Sequence, residues 1–268
     1  MEIKYALVDG ERREPERGLS AKCPICVTRM IAKCGNVRVD HWAHFTKRTC
    51  DLWWENKTEW HIAWQEKFPK EWREFPQHDP QTGEKHIADV RTSQGLVIEF
   101  QHSHLDPQER GKRERFYKNM VWVVNGTRLK RDYPRFLKGF AGFARTNKQD
   151  FFLVPNPEKS LPVTWVNSPV SVFFDFLGGI STDPPDQMRN VLWQLLPGRN
   201  EGKAVVVAVS RSRFVEELSK PPQLIPVPAP KPLVPNFQQI RRSVSIDQIP
   251  RNFKGDINRL PPGFNLRF

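Results

Sequence analysis

Cysteine is scarce in this chain: 268 residues carry four, all before residue 51, too few and too bunched to staple a fold of this length. Long apolar runs are missing too. No stretch reaches the roughly 18 residues of a membrane helix, and the N-terminus has no signal-peptide apolar region, so the reading is a cytoplasmic protein without a membrane partner. Acidic residues are outnumbered, 30 against 42 basic, which leaves a net charge of +12 and a pI near 9.7. That balance favours polyanionic partners, with nucleic acid foremost. Aromatic residues are plentiful: 9 Trp and 18 Phe supply a globular core.

The few cysteines are arranged rather than scattered. Cys23-Pro-Ile-Cys26 is followed by Cys34, His41-Trp-Ala-His44 and Cys50. A Cys-x-x-Cys turn offers two thiolates to one ion, and a second pair closes a tetrahedron, the pattern of a small zinc module. More candidates exist than places. Cys23, Cys26, His44 and Cys50 are the preferred set, with His41 the rival for the histidine place. A redox reading of the Cys pair needs a thioredoxin-like βαβ context, which is absent here; incidental free thiols are the bland alternative.

Residues 85–102 read as a β-hairpin, two apolar and β-branched runs separated by Ser93-Gln94-Gly95. Pairing Thr92 with Leu96 sets Asp89 opposite Glu99, and Gln101 shares the face of Glu99. Ala88 and Val90 then meet Phe100 and Ile98 on the other face. Two carboxylates about 5 Å apart repel, and burying them costs several kcal/mol without compensation. Their oxygens suit a hard divalent ion such as Mg²⁺ or Mn²⁺. The bland alternative is a solvent-exposed polar face.

Residues 55–68 read as an amphipathic helix with Trp60, Ala63, Trp64 and Phe68 inward. Asn56 and Glu59 look like a capping box, with Glu59 also a candidate third carboxylate over the hairpin. His61, about 200° round the helix from Glu59, is expected to point elsewhere. A strand is expected over 72–76. Asp106-Pro107-Gln108-Glu109 starts a basic helix running to about Asn119, where Arg110, Arg113 and Tyr117 are candidate contacts to nucleic acid. Met120–Val124 is a continuous apolar run, the mark of a strand buried on both faces.

This order of elements, with Glu59, Asp89 and Glu99-Phe-Gln101 on them, resembles the PD-(D/E)xK nuclease core. The residues Cys-Pro-Ile-Cys, His-Trp-Ala-His, Glu59-Trp-His61, Ala-Asp89-Val and Ile-Glu99-Phe-Gln-His-Ser103 are similar to the competence protein CoiA-like family of nucleases. Arg113 with Tyr117 before Val-Trp-Val-Val completes the likeness, which spans roughly residues 1–130 and, more weakly, 165–176. The resemblance implies an α/β (α+β) protein with a restriction-endonuclease-like core of mixed sheet and flanking helices. It also implies Mg²⁺- or Mn²⁺-dependent DNA cleavage, with Glu59, Asp89, Glu99 and Gln101 catalytic. Gln101 stands where the wider superfamily has Lys. A glutamine orients water but carries no charge, so the metal is expected to activate the water, with Lys85 or a basic side chain of the second helix a candidate for the missing charge.

Expected boundaries are 1–54 for the N-terminal strand and zinc module, 55–128 for the core, 129–219 for an α+β extension and 220–268 for a Pro-rich linker and basic tail. In the extension, runs at 151–154 and 203–209 are apolar, and 187–196 is expected to be helical. No second catalytic constellation occurs there. Prolines at 221, 222, 226, 228, 230, 232 and 235 predict an extended linker. The tail after it suits docking to a protein partner, with plain disorder the alternative.

Overall fold

The computed structural model describes residues 1–36, 39–46, 50–178 and 186–219; the expected linker and tail lie outside the described residues. The chain forms two compact units, Met1–Glu99 and Phe100–Phe268. The architecture is mixed α/β, as the composition and patterning lead one to expect.

In the first unit six short strands form an antiparallel sheet: β1 (Glu2–Ile3), β2 (Ala6–Val8), β3 (Glu11–Arg13), β4 (Ser20–Lys22), β5 (Arg29–Lys33) and β6 (His41–His44). Their order is β1-β6-β5-β4-β2-β3. Asp9 and Gly10, with φ +51° and +88°, make the two-residue turn between β2 and β3, and Asp-Gly is the dipeptide that tolerates it. The sheet buries a small core of Ile3, Ala6, Met30 and Trp42 around the Cys23 side chain.

Helix α1 (Glu59–Gln65) follows, shorter than the expected 55–68. Thr58 is its N-cap, accepting from the His61 N–H, so the expected Asn56–Glu59 capping box does not form. A hydroxyl immediately before the first turn takes the place of an amide two residues earlier. The buried stripe is Trp60, His61, Trp64, Gln65 and Phe68, while Ala63 is exposed. A short turn over Lys70–Trp72 leads to β7 (Arg73–His78), β8 (Lys85–Arg91) and β9 (Val97–Gln101). β7 pairs antiparallel with β8, and β8 with β9, Val90 facing Ile98. Gly95, at φ +78°, closes the hairpin by donating to the Thr92 carbonyl, and the Thr92 N–H donates to Leu96. The expected register is the observed one.

In the second unit, α2 (Pro107–Tyr117) begins as expected: the Asp106 carboxylate accepts from the Gln108 and Glu109 N–H groups. After it come β10 (Met120–Asn125), α3 (Asp132–Phe140), β11 (Ala144–Arg145), β12 (Phe151–Val154), α4 (Pro157–Ser160), α5 (Val163–Val166) and β13 (Val172–Asp175). Then β14 (Val191–Leu195), β15 (Ala204–Ser210) and α6 (Arg211–Ser219) end the described chain. The strands run in the order β11-β12-β15-β14-β13-β10, with β10 and β13 parallel and the other pairs antiparallel. The helix expected over 187–196 is not there. Its apolar half is the strand β14, hydrogen-bonded on both sides and buried on both faces, and a run of that kind has no period to separate strand from helix. Phe136, Phe140, Phe152 and Trp193 pack ring against ring beside it.

Candidate functional site

Four of the Cys/His candidates converge. The ligand atoms of Cys23, Cys26, His44 and Cys50 all lie within 4.8 Å of one another, the only such group of three or more His, Cys, Asp or Glu among the described residues. The turn after β4 brings the first two together: Cys23 N–H bonds the Thr28 carbonyl, Val27 N–H the Cys23 carbonyl, and the Ile25 N–H points at the Cys23 sulfur, 3.4 Å away. His44, at the end of β6, turns Nε2 to the Cys26 and Cys50 sulfurs at 3.3 and 3.7 Å. The Cys23 and Cys50 sulfurs are 3.6 Å apart. A hydrogen bond from Cys50 lowers the Cys23 thiol to about 5, and the same contact raises Cys50. The group can therefore hold a metal ion. His41 does not join it. Three residues along a strand is an odd step, so His41 faces the other way, with Nε2 3.6 Å from Glu2 and Nδ1 2.9 Å from the Val39 carbonyl.

Asp51, next to Cys50, fastens this segment to the hairpin. One carboxylate oxygen accepts from the Trp53 N–H and lies 2.8 Å from His86 Nδ1; the other accepts from the Ile87 N–H at 2.8 Å. His86 stacks on Trp53 with centroids 3.2 Å apart, and its Nε2 lies 2.9 Å from Glu84.

The hairpin's acidic face is not a solvated surface. Glu99 and Gln101 are 5% and 3% exposed, and Asp89 keeps 15% of its side chain in water. The Asp89 N–H donates to Glu99 Oε1 at 3.1 Å. The side chains reaching Asp89 from α1 are His61, with Nε2 2.9 Å from Oδ1, and Gln65, which donates to the Asp89 carbonyl at 2.9 Å. The expectation that His61 points elsewhere is overturned, because the core face of α1 includes positions 61 and 65 beside 60 and 64. The signal was in the sequence: a His and a Gln four apart, each directly after a buried Trp, share that stripe. Glu59 occupies the first helical position, exposed, and lines a different cavity of about 520 Å³ with Lys57, Glu66 and Glu74. Lys57 donates to Gln65 at 2.9 Å and is ion-paired with the buried Glu74, so a half-buried amine stands one amide away from Asp89. Lys85 is exposed. On the same strand as Glu99, Gln101 donates to the Ser103 hydroxyl at 2.8 Å.

Helix α2 holds its expected contact residues inward. Arg113 and Tyr117 are buried, and Arg113 pairs with Glu109 four residues earlier. Arg110 is half-buried, bonded to the Thr164 carbonyl and 3.4 Å from Glu114. Lys112 and Arg115 are the exposed bases of this helix.

The class these observations define is a mixed α/β protein with an N-terminal Cys₃His group capable of metal binding. Residues 18–52, a stretch holding all four ligands, match the family described as Competence protein CoiA, N-terminal domain. No curated protein and no solved structure matches the chain.

Proposed function

We propose that this protein is a divalent-metal-dependent nuclease acting on DNA, built behind a zinc module and serving competence. The observation that carries the reading is the hairpin register, Val90 facing Ile98, which sets the half-buried Asp89 beside the buried Glu99, whose carboxylate accepts the Asp89 N–H, with His61 against Asp89. The likeness of residues 18–52 to a competence domain supports the biological half.

Zinc fits the N-terminal donors. A tetrahedron with Zn–S bonds of about 2.3 Å has edges of about 3.8 Å, close to the 3.3, 3.6 and 3.7 Å of three of the six edges here, the rest staying within 4.8 Å. Its role is structural, since four protein donors leave no open position.

A Mg²⁺ or Mn²⁺ ion fits the hairpin by donor chemistry: hard carboxylate oxygens from adjacent strands, largely removed from water. Asp89 and Glu99 would hold it, and when bound it supplies Lewis-acid polarisation and a water of lowered pKa. His61 and Gln65 keep Asp89 in one orientation. Gln101, restrained by Ser103, orients the water that adds to phosphorus as the bond to one nucleoside oxygen breaks. Lys57, half-buried, is a cation linked to Asp89 through hydrogen bonds by way of Gln65.

One observation favours a second reading, a non-catalytic nucleic-acid-binding protein. Glu59 is exposed and does not gather with the other two carboxylates, and Asp89 already has His61 as its partner. A single assay separates the two. Purified protein is incubated with single- and double-stranded DNA and RNA in EDTA, Mg²⁺ or Mn²⁺, beside Asp89→Asn. Metal-dependent cleavage lost in the variant is the expected result. Cleavage by Asp89→Asn at the original rate, or none by either protein, sinks the nuclease reading.

A further inference from the structure

The second unit contains a cavity of about 280 Å³ whose wall includes Gln101, Asn125, Arg128, Arg131, Arg135 and Thr164. Asp132 is the only carboxylate that lines it. Two local features deliver the arginines. Gly126 turns the chain out of β10 where a Cβ would fall 2.5 Å from the Phe176 ring, so no other residue fits without displacing that ring. Asn125 then accepts from both the N–H and the hydroxyl of Thr127, which fixes the loop carrying Arg128. Arg131 and Arg135, four apart at the start of α3, share a face.

One carboxylate, Asp132, attracts all three guanidinium groups, so the pocket keeps an excess of positive charge. Arg135 donates to Asp132 at 3.0 Å, but its Nε is buried with no hydrogen-bond partner among the described residues. The guanidinium groups of Arg128 and Arg131 make no hydrogen bond or ion pair to a described residue and are exposed. Three guanidinium groups against one carboxylate leave room for a second anion, and their planar forks match phosphate oxygens. The volume lies just under the range of about 300–1,000 Å³ usual for small-molecule pockets, suited to a phosphate group rather than a whole nucleotide.

We infer that this pocket seats a backbone phosphate of a nucleic-acid strand. The sequence places the basic grip on α2, where Arg113 is buried; the geometry moves it to the β10–α3 turn and α3. The inference rests on the reading of Gln101 as a substrate-facing side chain, since Gln101 forms part of the same wall.

The test is binding of a short labelled oligonucleotide to the full chain in EDTA, followed by anisotropy across a salt series. Arg128→Gln with Arg131→Gln should weaken binding more than tenfold and lower the slope of log K against log salt by about 1.4 on single strands. Lys112→Gln with Arg115→Gln, an equal charge change on the exposed side of α2, should do much less. Equal losses from the two pairs, no loss from the pocket pair, or a wild type that binds no oligonucleotide would each overturn the inference. So would inorganic phosphate that competes as well as the oligonucleotide at equal phosphate concentration, which would make this a free-phosphate site. A protein that binds through the pocket yet fails to cleave in either Mg²⁺ or Mn²⁺ ends the nuclease reading and leaves the pocket standing.

Discussion

Val27 follows Cys26 with φ +62°, a left-handed conformation that a β-branched side chain adopts at a cost of about 1–2 kcal/mol. Its side chain is 60% exposed, so little packing recompenses the strain. Val27→Gly is expected to stabilise the protein by about 0.5–1 kcal/mol, glycine's own entropy cost taken into account. A raised denaturant midpoint with unchanged slope and metal content checks it. His61 has the opposite character, a buried side chain whose removal leaves Asp89 without its imidazole partner. His61→Ala should cost about 1–3 kcal/mol. Asp89→Asn on its own should be no less stable than wild type in EDTA, because it removes one of two neighbouring charges while an amide can still bond His61. If the pair matters as a pair, His61→Ala will cost less in the Asp89→Asn background, and equal costs in both backgrounds would show that the two side chains act independently.

At the scale of elements, the hairpin hangs on its loop. A Cβ on Gly95 would meet only an ordinary contact with Arg91, 3.6 Å away, so the cost of Gly95→Ala is the backbone conformation, about 1 kcal/mol. The same change should loosen the opposition of Asp89 and Glu99, visible as faster amide exchange at Asp89. This hairpin was legible in the sequence because a three-residue loop fixes the register, and the alternation of Ile98, Glu99, Phe100 and Gln101 puts the polar pair on one face even though the whole strand is buried. The phase of α1 was less so: an alanine was read as core while a His and a Gln were passed over, and only the neighbouring strand shows that polar side chains belong on that face. β14 offered no period at all. The metal module was legible in its ligand set, since His44 and His41 are separated by an odd step along β6. It also carries a pH dependence. A metal takes Cys23 and Cys50 as thiolates; Cys23 titrates near 5 and Cys50 is raised, so at neutral pH uptake displaces a proton from Cys50. Zinc affinity should therefore weaken as pH falls from 7, and more steeply once Cys23 also protonates near 5. Competition with a chelator across that range measures it, and a flat profile would mean that this pair does not bind the ion.

For the molecule as a whole, every proposed ligand and contact lies before residue 166, and none falls in 220–268. A chain ending at Lys220 should keep its melting temperature, its metal and its affinity for oligonucleotides; loss of all three would assign the tail a structural part. Asp51 adds a matter of timing. The four candidate metal ligands are complete once Cys50 has been made, but the distant partners of the Asp51 carboxylate, His86 and Ile87, come 35 and 36 residues later. At synthesis rates of about 5–20 residues per second, that leaves roughly 2–7 s in which a nascent chain can load its module before the fastening to β8 exists. Metal starvation during translation should therefore do lasting harm to a protein that tolerates the same chelator once finished.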